Sequence, residues 1–222
     1  MRIGAQDAGA FLARLTRLDP GAVVRLKSTG DRVTLWARLP WAVLVSRTVE
    51  GSGPEDATVS AADLLAEIGR GGDALPQRRD QQWRWPLPPA GARVVESVPG
   101  AEVHRIAAAA AGTLRTASTE GVGGRAVGQR ALRDALLDHV AILVTDGESR
   151  VEVPQRLIQA VVRMGFLGRS APAAGEVVTV PVGEVRVQTV GRWVGLVAPY
   201  GVAWLLPVSQ FAVRPAAAHT NG

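Results

Sequence analysis

Apolar residues at positions 11, 12, 15 and 18 recur with the spacing of one helix face, and Asp19-Pro20 ends the run. Beyond it the period shortens to two. VVRLKS (23–28) and RVTLWAR (32–38) alternate on either side of the turn Thr29-Gly30-Asp31, and WAVLVSR (41–47) follows the break at Leu39-Pro40. Connections this short predict an antiparallel meander. GSGPED (51–56) reads as a loop. Ser60 then caps a short helix through AADLLAEI, with Asp63 at the third helical position in the manner of a capping box.

Residues 69–92 are rich in Gly, Pro and Arg and predict a long irregular connection. AEVHRIAAAAAGTLR (101–115) predicts a helix, TASTEGVGGRAVG breaks the pattern, and QRALRDALLDHV resumes it. AILVTDGESRVEVP reads as a hairpin around Asp146-Gly147. PQRLIQAVVRMGFLG (154–168) predicts a further helix, with Pro154 in its first turn and Gly168 at its end. VVTVPV, EVRVQTV, RWVGLVA and VAWLLPV follow as strands, and the last dozen residues read as frayed.

The first meander has an echo. An offset of 161 residues aligns 24–45 with 185–206 without a gap and with identities at Val24/Val185, Arg25/Arg186, Gly30/Gly191, Val33/Val194, Leu35/Leu196, Ala37/Ala198, Ala42/Ala203 and Leu44/Leu205. A helix precedes each copy, at 10–18 and 155–167. The fold expected is therefore α+β: two antiparallel β-meanders, each preceded by a helix, around a helical middle. The division expected is 1–98, a helix plus meander with the Pro/Arg/Trp loop, and 99–222, the helical segment, hairpin, helix and second meander. The two units together form one composite domain if the copies pack on each other.

Composition narrows the chemistry. There is no cysteine, so disulfides and thiolate chemistry are absent. The N-terminal residues lack an apolar run of signal-peptide length and no stretch of 18 apolar residues occurs, so a cytoplasmic chain without membrane contact is expected. The pI of about 11.0 reflects few titrating groups more than a strong charge, because 25 basic residues stand against 20 acidic ones. The excess is also dispersed, at 13 against 11 in residues 1–98 and 8 against 7 in 99–168. A nucleic-acid binder concentrates its charge on one face. Heavy use of arginine over lysine, with much Ala, Gly and Val, suggests a GC-rich bacterial genome.

Two surfaces stand out. With Val24, Leu26, Val33, Leu35 and Ala37 facing inward, the other face of the first meander carries Arg25, Lys27, Arg32, Trp36 and Arg38. Together with Arg78, Arg79, Trp83, Arg84 and Trp85 these form the basic-aromatic set a single-stranded nucleic acid would need, arginines for phosphates and rings for bases. The competing expectation is that the arginines lie over the tryptophans and that Trp83-Arg84-Trp85-Pro86 plugs a neighbouring sheet face. The second meander presents Arg186, Gln188, Trp193 and Val197, a more apolar face that calls for a cover; Trp193, Val197 and Trp204 are the self-association candidates.

Signals for catalysis are thin. GVGGRA (121–126) matches a dinucleotide-type glycine pattern but lacks the strand that must precede it. His104, His139 and His219 stand apart, with no metal-ligand spacing, and no nucleophile elbow occurs. No catalytic residue, cofactor or metal is assigned. The leading expectation is a non-enzymatic binding or scaffold protein whose partner is itself or another protein. A nucleic-acid-binding regulator comes second, and an enzyme or nucleotide binder using the Gly121 loop third.

Overall fold

The alternating segments lie side by side as one antiparallel sheet, and the helices bury their apolar stripes on one face of it. The computed structural model describes residues 1–120, 129–147, 149–168 and 183–207. In chain order the elements are β1 (Arg2–Ile3), α1 (Ala5–Leu18), β2 (Val23–Thr29), β3 (Arg32–Arg38), β4 (Leu44–Ser52), β5 (Asp56–Ser60) and α2 (Ala61–Gly69). A 3-10 turn (Asp80–Gln82) leads to β6 (Arg93–Pro99), α3 (Gly100–Glu120), α4 (Gln129–Asp138), β7 (Val140–Asp146) and β8 (Ser149–Pro154). Then come α5 (Gln155–Arg163), β9 (Glu184–Val190), β10 (Trp193–Ala198) and β11 (Gly201–Leu205).

The sheet runs β5-β2-β3-β4-β11-β10-β9-β6, with β1 added to β4; β7 and β8 form a separate hairpin. This order is a palindrome. In each half a helix precedes a three-strand meander, the meander's third strand meets its counterpart at the centre, and a strand leading into another helix closes the edge. The expected α+β fold with its duplicated meanders is the fold observed.

The echo holds residue for residue in the first hairpin. β9 lies 161 residues from β2 at both ends, and Gly30 and Gly191 both adopt left-handed turns, at φ 60° and 54°. In the third strand it slips. Five residues (39–43) connect β3 to β4 but only two (199–200) connect β10 to β11, so the structural equivalence there moves to 158. That shift sets Val45 opposite Ala203, with Leu44↔Trp204 and Ser46↔Val202 on either side, a register symmetrical about the central pair. The aligned identities Ala42/Ala203 and Leu44/Leu205 are thus not equivalent positions: Ala42 is a turn residue at φ 67°, and Leu44 and Leu205 point to opposite faces.

Other boundaries differ from the pattern. The strand expected from Trp41 starts at Leu44, because Ala42 N–H donates to Leu39 O (3.0 Å) in a turn. Half of GSGPED is strand end and strand start, with β4 reaching Ser52 and β5 opening at Asp56. Helix α3 runs through TASTE to Glu120, and β6 forms where none was expected. VVTVPV (177–182), the 121–126 glycine pattern and the C-terminal tail lie outside the described residues.

The core sits between sheet and helices. Val24, Leu26, Val33, Leu35 and Ala37 are fully buried against Phe11, Leu12 and Leu15 of α1, and Val185, Val187 and Leu196 pack with Leu157, Ile158 and Val161 of α5 in the same cluster. Phe11 and Phe166 stack at 6.3 Å where the two halves meet. No helix among the described residues is long and apolar enough to cross a membrane.

Candidate functional site

The sheet face away from the helices gathers five of the six tryptophans. Leu44, Trp193 and Trp204 form its buried floor, and Trp36, Trp83, Trp85, Leu87, Val190, Val202 and Leu206 pack on them. Period-two alternation explains the sheet members: Trp36 faces out because Leu35 and Ala37 face in, and Trp204 because Ala203 and Leu205 do. The remaining members come from the long connection. It leaves α2, returns along the β5 edge through a bridge between Val59 and Arg78 and a bond from Arg79 N–H to Thr58 O (2.7 Å), and then crosses the outer face. Trp83 and Trp85 meet edge to face at 5.3 Å, as do Trp193 and Trp204 at 6.5 Å. Of the two readings of Trp83-Arg84-Trp85-Pro86, this geometry is that of a plug.

The arginines around it are largely engaged. Arg25 Nε and Nη2 donate to the two oxygens of Asp56 at 2.7 and 2.5 Å, and Lys27 Nζ lies 3.6 Å from the same carboxylate. Arg78 Nε donates to Asp80 Oδ2 (2.7 Å), while Asp80 Oδ1 accepts from Thr58 N–H (2.7 Å). Arg79 lies 3.5 Å from Asp63. The Arg25 guanidinium also sits 5.7 Å from the Trp83 ring centre, and Arg38 sits 5.1 Å from that of Trp85. Arg25, Asp56, Thr58, Arg78, Asp80 and Trp83 together line a cleft of about 290 Å³.

These contacts set the acids. Hydrogen bonding from Arg25, with Lys27 adding charge, holds Asp56 below the usual carboxylate range. Asp80 is lowered by its hydrogen bonds from Arg78 and from the Thr58 backbone. Asp56, Asp80, Leu44 and Leu87 escaped the sequence reading. Asp56 opens a strand where the composition predicts a loop, and Asp80 and Leu87 lie in a segment without period. Only the alternation of β4 pointed to Leu44.

Of the ten basic-aromatic candidates, Arg25, Trp36, Arg38, Trp83 and Trp85 meet on the outer face, whereas Arg78 and Arg79 pair with Asp80 and Asp63 at the β5 edge. Lys27 pairs with Asp56, and Arg32 and Arg84 are the two cations of the set left without an ion pair or ring contact among the described residues. The three self-association candidates divide. Trp193 and Trp204 are 8% and 6% exposed because the chain's own plug covers them, whereas Val197 is half-buried. No cluster of three potential metal ligands occurs among the described residues.

Residues 87–210, more than half of the chain, match a family described as Domain of unknown function (DUF8185). The chain belongs to this DUF8185 family. Residues 3–85 match a second description, Domain of unknown function (DUF8010), so the two matched spans of this DUF8185 chain meet at Pro86, inside the plug. No curated protein matches the sequence. Among solved structures, the DNA polymerase III subunit beta of Pseudomonas aeruginosa is similar at TM-score 0.51 and 14% identity, covering 92% of this chain and 63% of that one. The DNA polymerase beta subunit of Streptococcus pyogenes is similar at TM-score 0.50 and 11% identity, covering 93% and 64%. The beta clamp of Helicobacter pylori stands at TM-score 0.50 and 9% identity, covering 94% and 65%. The chain thus spans less than two thirds of each of these structures. The likeness establishes a clamp-like fold that includes both halves.

Proposed function

We propose that the chain is a non-catalytic scaffold that holds protein partners and self-associates through its C-terminal meander. The observation that carries the reading is the palindromic sheet, whose clamp-like fold extends over both halves. The similar structures are named as polymerase subunits and a clamp, which fits a chain that works by holding other molecules. Because Trp193 and Trp204 lie under the plug, Val197 is the member of the trio that a second copy reaches without disturbing the fold. Size-exclusion chromatography with light scattering tests this. A dimer or larger species is expected, and Val197→Arg should shift it to monomer without lowering the melting temperature. A monomeric wild type ends the self-association reading.

A second reading, nucleic-acid binding on the N-terminal outer face, is favoured by the two unpaired cations Arg32 and Arg84. The same column tests it at low salt. Excess absorbance at 260 nm that high salt removes, and that Arg32→Glu with Arg84→Glu abolishes, supports it; a clean ratio at low salt rejects it.

A further inference from the structure

We infer that the outer tryptophan groove is a receptor for an extended, proline-containing aromatic segment, and that residues 83–87 occupy it in place of a partner. The inference rests on the scaffold reading and names the partner's chemistry.

The way the plug is held is the first ground. Among the described residues, no backbone hydrogen bond ties 84–92 to the sheet; the engaged backbone atom is Trp85 O, which accepts from the segment's own Trp83 Nε1 (2.7 Å). The segment is seated by its side chains, with Trp83, Trp85 and Leu87 on the apolar cluster and Arg25 and Arg38 over the two rings. A segment that belonged to the sheet would use its backbone, because unpaired peptide groups over a buried face are unfavourable. Both ends are anchored independently, by Arg79 on β5 and by β6 on β9, so the plug can lift without opening the sheet.

Composition is the second. Pro86, Pro88 and Pro89 fix φ near the polyproline value and remove donors. An aromatic-lined surface gripping such a pre-extended segment is a general mode of peptide recognition. Here the floor is Trp36, Leu44, Trp193 and Trp204, and Arg25 and Arg38 lie over two rings spaced i, i+2. The groove's ligand is therefore aromatic-x-aromatic-Pro-aliphatic in an extended form. Tethering gives the internal copy an effective concentration of roughly millimolar, which a partner must outcompete.

The test uses full-length chain and a synthetic peptide of residues 81–89, QQWRWPLPP. Trp83→Ala with Trp85→Ala removes the plug's two rings and leaves the floor intact; Trp85→Ala alone is a milder variant that keeps Trp83 and Leu87. The peptide should raise the melting temperature of both variants and bind them at least tenfold more tightly than wild type by calorimetry. A peptide with alanine at both tryptophans should do neither. Absence of any peptide effect on both variants, or equal affinity for variant and wild type, overturns the inference. Dissociation of a wild-type dimer by the peptide would instead make a second copy the occupant. Oligomeric state read in parallel separates the two ideas: plug variants that stay dimeric and ignore the peptide remove the groove receptor and leave the scaffold standing.

Discussion

Asp80 is where the plug's entrance is fastened, since one carboxylate oxygen takes the Thr58 amide and the other takes Arg78. Its pKa is depressed, as is that of Asp56. A carboxylate lowered on folding contributes stability that is fully present above its unfolded pKa, about 4, and is lost as pH falls through the folded value. The urea midpoint should therefore hold from pH 7 to about 5 and fall below about 4, accompanied by a red shift as Trp83 meets water. Asp80→Asn keeps the acceptor for Thr58 but removes the charge, so it should lower the midpoint at pH 7 and flatten its acid decline. Parallel acid profiles for variant and wild type would refute this. At this scale the sequence told which side chains face outward, as Arg25, Lys27, Trp36 and Arg38 do. It could not tell what they meet, because Asp56 and Asp80 arrive from 31 residues beyond Arg25 and 22 beyond Thr58.

The two hairpins carry the same turn, and the element scale is where duplication can be measured. Gly30 and Gly191 both need a left-handed conformation that a Cβ disfavours by about 1–2 kcal/mol. Nothing lies within 4 Å of where either Cβ would stand, so backbone strain alone is changed. Gly30→Ala and Gly191→Ala should thus destabilise by similar amounts in that range, seen as shifts in urea midpoint at constant slope; a marked inequality would contradict the equivalence. Those strands were legible because their alternation is clean. β6 was not, because a bulge between Val94 and Glu96 breaks its period. Helix α3 outran its expected end because the Ser118 and Thr119 hydroxyls bond back to the Leu114 and Arg115 carbonyls (2.6 and 3.1 Å), absorbing the donors that make such residues helix breakers elsewhere.

The two halves could in principle fold as separate units that merely touch. Their junction says otherwise. β4 and β11 share three register pairs, Phe11 stacks on Phe166, and Trp41 and Arg156 exchange bonds in which Trp41 Nε1 donates to Arg156 O (3.2 Å) and Arg156 Nη1 donates to Trp41 O (3.1 Å). The inner core is one cluster that includes side chains from both halves, and the outer tryptophan cluster crosses the same line. A chain joined on both faces of its sheet should unfold in one transition. Phe166 tests the joint. It is fully buried and sits over Gly201, whose position could not hold a Cβ without meeting the ring at 2.5 Å. Phe166→Ala should destabilise the protein by about 3–5 kcal/mol, as truncation of a buried aromatic does. Because the halves are coupled, tryptophan fluorescence and far-ultraviolet dichroism should shift together to the same lower midpoint. Two separated transitions in the variant would mean that each half keeps a stable core of its own, and that the palindromic sheet joins two domains instead of building one.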